Sequence, residues 1–139
     1  MLARDYLKQI KELKITIEQL NDEHERVFNQ LHNPPGIQYD KDKVQTPIKD
    51  NIADLYGFLC ENSQKIVEKT KSLYELRSQI IDELYLLHNA VYTDLLYRRY
   101  VEDKSFELIA VEMHYAYQSV LNIHQAALKE FEKKILSIK

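Results

Sequence analysis

The sequence predicts an all-α chain: a long antiparallel helical hairpin of coiled-coil character, followed by a C-terminal three-helix unit of helix-turn-helix type. Three observations predict it. The chain has only 2 Gly and 3 Pro, and Pro34, Pro35 and Gly36 stand together, whereas a β-protein of this size needs many turns made largely of those residues. The rest is rich in Leu, Ile, Glu, Lys and Gln, with apolar residues three and four apart, a spacing that returns them to one helix face. Near the C-terminus the pattern shortens into segments with turn and cap residues between them.

The first helical block covers residues 2–32. Tyr6, Ile10, Leu13, Ile17, Leu20, Val27 and Leu31 make a coiled-coil seam, and His24 fills its one polar slot. Asn33 followed by Pro34-Pro35-Gly36 ends the helix, because proline disfavours helix in the residue before it and cannot donate to the helical ladder. Residues 33–48 read as a polar loop. The second block, about 49–88, is one helix with Ile52, Leu59, Ile66, Leu73, Ile80 and Leu87 at every seventh position. Leu55, Leu76 and Leu84 supply the companion row, which Asn62 and Lys69 interrupt; polar residues in such a row often set register or oligomeric state. Two such helices joined by a loop form an antiparallel hairpin most simply. At 1.5 Å per residue the second is roughly 60 Å long and outruns the first, leaving apolar surface for the C-terminal unit or another subunit. A homodimer through this stalk is the expectation. The domain boundary falls at 88/89, with 1–88 as stalk, 89–139 as the C-terminal domain and Asn89 as N-cap.

Three helices follow, at about 90–101, 105–113 and 116–137. Residues 106–125 fit a helix-turn-helix: Ala110 is the small residue where two helices approach, Ile109, Met113, Tyr115, Val120 and Ile123 face inward, and 113–116 is the turn. Leu95, Leu96, Tyr100 and Val101 on the preceding helix cover the core. Such a crossing presents its second helix to the DNA major groove. The exposed face of that helix reads Tyr117, Gln118, Leu121, Asn122 and Gln125, and Gln and Asn can pair bidentately with adenine. Phosphate contacts fall to Arg98, Arg99, Lys104 and Lys129, with Lys133 and Lys134 behind them.

The stretch Leu-Leu-Tyr-Arg-Arg-Tyr-Val-Glu-Asp-Lys-Ser-Phe-Glu-Leu-Ile-Ala (95–110) resembles the start of the sigma-70 C-terminal promoter-reading domain, with its Arg-Tyr pair, short turn and Ser- or Thr-led helix reaching Ile-Ala. Over nearly its full length the chain resembles small phage-encoded regulators akin to the RinA and ArpU late-gene activators, which join a coiled coil and a Pro-containing loop to this module. The resemblance implies double-stranded promoter or operator DNA as partner, contact with RNA polymerase, late-gene control, and the cytoplasm of a bacterial host as location. His114 stands where that module has Gly or Asn, Ala116 where it caps with Ser or Thr, and the reading face is polar rather than basic.

Net charge is −3. Residues 89–139 balance seven basic side chains (Arg98, Arg99, Lys104, Lys129, Lys133, Lys134, Lys139) against seven acidic ones (Asp94, Glu102, Asp103, Glu107, Glu112, Glu130, Glu132), so the DNA-reading third is neutral. Dimerisation doubles its few cationic contacts. The neutral surface and Leu121 also suit a second class, a protein-interaction module that binds another regulator or RNA polymerase. A third is a DNA-packaging recognition subunit, which a ring larger than a dimer would mark.

Lone Cys60, beside Tyr56 and Leu59, reads as a buried, inert thiol that suits a reducing compartment. No apolar run approaches the ~20 residues of a membrane span. The five histidines (24, 32, 88, 114, 124) include no i, i+4 pair, so no metal and no cofactor are expected. Pro34-Pro35-Gly36 lacks the glycines and lysine of a phosphate loop, and no catalytic constellation stands out; the sequence reads as no enzyme. Tyr92, Tyr97, Tyr100, Tyr115 and Tyr117 cluster in the last third; most are expected in the core, and Tyr117 on the surface.

Overall fold

The structure, a computed structural model, describes residues 2–32 and 48–138. All of the expected loop except Ile48 therefore lies outside the described residues. The described residues form five helices and no strand: α1 (Ala3–His32), α2 (Ile48–Tyr85), α3 (Ala90–Leu96), α4 (Phe106–Met113) and α5 (Tyr117–Phe131). Two of them widen at their ends into a π-helical turn, Tyr97–Val101 after α3 and Glu132–Leu136 after α5, closed by bonds from Glu102 N to Tyr97 O (3.0 Å) and from Ser137 N to Glu132 O (2.9 Å).

The hairpin is antiparallel. As α1 rises from Tyr6 to Leu20, its partner on α2 falls from Glu83 to Asn62: the Tyr6 hydroxyl donates to Glu83 Oε1 (2.5 Å), and Asn62 Nδ2 donates to Leu20 O (2.8 Å). Asn62, one of the interruptions in the companion row, is buried on the seam, while Lys69 is exposed.

The chain divides into two compact units, residues 1–14 with 72–139, and residues 15–71. The composition of the first unit has a packing cause. Three short helices enclose too little volume by themselves, so Ala3, Leu7 and Ile10 of α1 and Ile80, Leu84 and Leu87 at the end of the hairpin complete one core with Leu95, Leu96, Ile109, Val120 and Phe131. Burying each of these larger side chains contributes about 1.5–3 kcal/mol. Asn89 caps α3 by accepting from Val91 N and Tyr92 N, both at 3.1 Å, as its type predicts.

In the second unit Leu59 and Asn62 are buried, and Leu13 of the first unit, like Ile17, Leu20, Val27, Leu31 and Ile66 of the second, is half-buried. Ile52, expected on the seam, is exposed, and so is Cys60. Cys60 follows Leu59 by about 100° around the helix, which turns it away from the side that buries Leu59 and Asn62. A thiol is commonly buried in a thick core; a pair of helices offers none.

Candidate nucleic-acid interface

Ser105 opens α4 from an extended conformation, its hydroxyl accepting from Leu108 N at 3.2 Å. The helix closes on His114, which adopts the left-handed conformation (φ 61°, ψ 40°). Tyr115 N then donates to Ala110 O (3.0 Å) and His114 N to Val111 O (3.3 Å), the paired bonds of a Schellman turn. Glycine takes this position most easily, since a Cβ there costs roughly 1 kcal/mol. Ala116 precedes α5 in an extended conformation with no side-chain cap. Ala110 and Ile109 are buried where α4 meets α5, and Val120 is buried on the facing side. Met113 and Ile123 are half-buried. Tyr115, expected inward, is instead 40% exposed, because the left-handed residue before it turns the chain outward.

Three of the five predicted reading residues, Gln118, Asn122 and Gln125, share the exposed side of α5. Val120, His124, Ala127, Leu128 and Phe131 face the core, and Gln118, Asn122, Gln125 and Lys129 form an exposed stripe opposite. Gln118 Nε2 donates to Asn122 Oδ1 at 3.3 Å, which aligns the two amides along the helix. Tyr117 is 46% exposed at its first turn, and Leu121 is half-buried at the stripe's margin.

The predicted phosphate contacts are arranged otherwise. Arg98 Nε donates to Asp94 Oδ1 (2.8 Å) and its Nη1 to Glu112 Oε1 (2.5 Å). Lys104 Nζ donates to the same carboxylate at 2.8 and 3.2 Å. The bond to Asp94, then that to Glu112, holds the Arg98 pKa above its ordinary value; the bond to Glu112 raises that of Lys104. Lys104 and then Arg98 hold Glu112 below the usual carboxylate range. Two of the predicted cations are thus committed to a carboxylate the sequence reading had not connected to them. Arg99 lies over the Phe106 ring at 4.1 Å and donates to Lys104 O (3.0 Å). Lys129 and Lys133 are exposed, whereas Lys134 donates to Leu87 O (3.0 Å).

Behind the stripe, His124 is 4% exposed. It shares a 2.7 Å hydrogen bond with the Tyr100 hydroxyl and meets the Phe106 ring edge-on at 4.8 Å. Burial, then the nearby Arg4 and Arg99 charges, lowers its pKa to about 4, so the imidazole is neutral at pH 7. Burial raises the Tyr100 pKa. Of the clustered tyrosines Tyr100 is buried, Tyr92 and Tyr97 are half-buried, and Tyr115 and Tyr117 are exposed.

Sequence reasoning also passed over the outer face of α4. Leu108 and Val111 are 44% and 70% exposed, three residues apart on one side of the helix. Among the described residues, no group of three His, Cys, Asp or Glu could hold a metal ion, and no helix is long and apolar enough to cross a membrane.

No protein-family model, curated protein or solved structure matches the chain.

Proposed function

We propose that the protein is a DNA-binding transcription regulator, acting on late genes of a phage or mobile element, that reads duplex DNA with α5. The observation that carries this reading is the exposed polar stripe Gln118–Asn122–Gln125 on the second helix of a helix–Schellman turn–helix unit. Exposed amides on such a helix have the reach and donor–acceptor pattern for adenine edges in the major groove. The resemblance of residues 95–110 to the sigma-70 promoter-reading domain supports the same reading. A homodimer through α1 and α2 would set half-site spacing.

The test is binding by the purified protein to duplexes tiling the DNA around its own gene, at low and physiological salt. Sequence-selective binding that survives physiological salt and is lost in Gln118→Ala/Asn122→Ala supports the reading. Loss of two amide contacts is expected to cost about 1–3 kcal/mol each. A folded wild type that selects no duplex overturns it.

One observation favours the second reading, a protein-interaction module. The outer face of α4 carries exposed Leu108 and Val111, and the turn after it exposed Tyr115, side chains suited to a protein such as RNA polymerase rather than to phosphate. Val111→Asp should then abolish polymerase binding in a pull-down while leaving any DNA binding intact. A ring larger than a dimer in sedimentation would favour the DNA-packaging reading instead.

A further inference from the structure

Two of the C-terminal cations that a DNA-binding unit needs, Arg98 and Lys104, are committed to Glu112, but a second set lies on α1. Arg4, Lys8 and Lys11 are all exposed, and at 100° per residue they occupy an arc of about 60° beside the face that buries Leu7. Residues 1–14 hold four cations (Arg4, Lys8, Lys11, Lys14) against Asp5 and Glu12, a local excess of two in a chain whose net charge is −3.

These turns of α1 abut the core-facing side and the C-terminal end of α5. Ala3 N donates to Glu132 Oε1 at 2.8 Å, on the turn that continues α5, and the Tyr6 ring packs against Phe131 with centroids 5.8 Å apart. The Arg4 charge acts on the Tyr100 hydroxyl, opposing the effect of its burial, and that hydroxyl bonds His124 of α5. Further along, Lys14 Nζ donates to Val101 O at 3.2 Å. Lys8 and Lys11 join Arg99, Tyr100 and Asp103 around one small cleft of about 40 Å³. The Lys11–Asp103 contact across it is 3.4 Å, with both side chains about half exposed, a pair worth little in water and easily exchanged for a phosphate.

We infer that Arg4, Lys8 and Lys11 of α1, with Arg99, form the phosphate anchor that holds duplex DNA against α5. This rests on the DNA-binding reading, and it moves the electrostatic work from the helix-turn-helix to the first turns of the hairpin. Cations on a separate helix fix orientation on the backbone without reading sequence, which leaves the neutral amide stripe free to do so.

The experiment measures binding of the full chain to its preferred duplex and to a scrambled duplex across a salt series. Arg4→Gln/Lys8→Gln/Lys11→Gln is compared with wild type. Each phosphate contact contributes about 0.9 to the slope of log affinity against log salt, so the triple variant should lose about two to three from that slope. It should weaken on both duplexes by the same factor, at least tenfold at physiological salt. Lys8→Gln/Lys11→Gln, two changes at exposed side chains, should lose about two from the slope with an unchanged melting temperature. Arg4→Lys should keep the wild-type slope. Unchanged slopes in both Gln variants overturn the anchor and leave the DNA reading standing. A wild type that binds neither duplex overturns both.

Discussion

The two compact units use the same hairpin helices in opposite ways. Every member of the buried apolar cluster belongs to residues 1–14 and 72–139. In residues 15–71, among those described, Leu59 and Asn62 are the buried side chains. Phe28, Tyr56 and Val67 there are 45%, 53% and 67% exposed. The heptad pattern runs through both units without a change of character, so pattern alone does not create a core. A third layer does: where α3, α4 and α5 close over the helices, half-buried seam positions become fully buried ones. Where no third layer lies over them among the described residues, the seam keeps one side in water.

The largest expected effect sharpens this contrast. Phe131→Ala, at a side chain 0% exposed, should cost about 3–5 kcal/mol in chemical denaturation, the range for emptying a tightly packed aromatic site. Ile66→Ala, on the half-buried seam, should cost about 1 kcal/mol, since there is less apolar surface to re-expose. Equal costs would break the comparison. If the cost at Ile66 also grew with protein concentration, a second copy would be burying that residue in solution.

A smaller effect separates the units by pH. His124 belongs to the dense unit and titrates near 4, against 6.5 when unperturbed. Between those values the unfolded chain takes up a proton that the folded one does not. Stability from the neutral imidazole is therefore fully present above pH 6.5 and drains away as pH falls toward 4. The loss should be on the order of 2 kcal/mol after allowance for solvent screening. His124→Gln keeps a hydrogen-bonding group for Tyr100 but cannot titrate, so its stability should fall less steeply than wild type's over this window. Amide exchange at mildly acid pH should accelerate in α3–α5 and not in residues 15–71. A variant with the wild-type slope would remove His124 from the account.

Much of this was legible in the sequence, because the signals involved are local. Asn89 as cap, His114 at the turn and Ala110 at the crossing all sit where short-range chemistry puts them. The every-seventh spacing of Leu59, Ile66, Leu73 and Ile80 marked the face of α2 that packs inward. The face of α5 carrying Gln118, Asn122 and Gln125 followed from the same periodicity. What stayed hidden depends on which distant residues meet. Nothing in the spacing of Asp94, Arg98, Lys104 and Glu112 says that they converge; the wide turn at 97–101 and the left-handed Asp103 (φ 56°) bring them together. Nor does a heptad reveal that its first turns will serve a domain more than sixty residues away in sequence, as Ala3, Leu7 and Ile10 do. Cys60 failed for a related reason. Residue type predicts burial only where the local packing is thick enough to bury it.

Asn62 offers the smallest and most discriminating change. It is 4% exposed in the sparse unit, and its side chain donates to Leu20 O. That carbonyl lies inside α1, where the helical ladder already uses it, so removing the amide leaves no acceptor stranded. Asn62→Leu should alter stability by about 1 kcal/mol or less, with added apolar burial offsetting the lost hydrogen bond. Specificity should change more than stability. A polar residue within an apolar row disfavours registers and assemblies that leave it unpaired, and with leucine there the helices can slide or recruit further copies at little cost. Sedimentation of wild type should give one species, and that of Asn62→Leu a mixture or a larger one. A single unchanged species in both would mean that register is set in the dense unit, where Tyr6, Gln79 and Glu83 already tie α1 to α2, and that the sparse unit follows it passively.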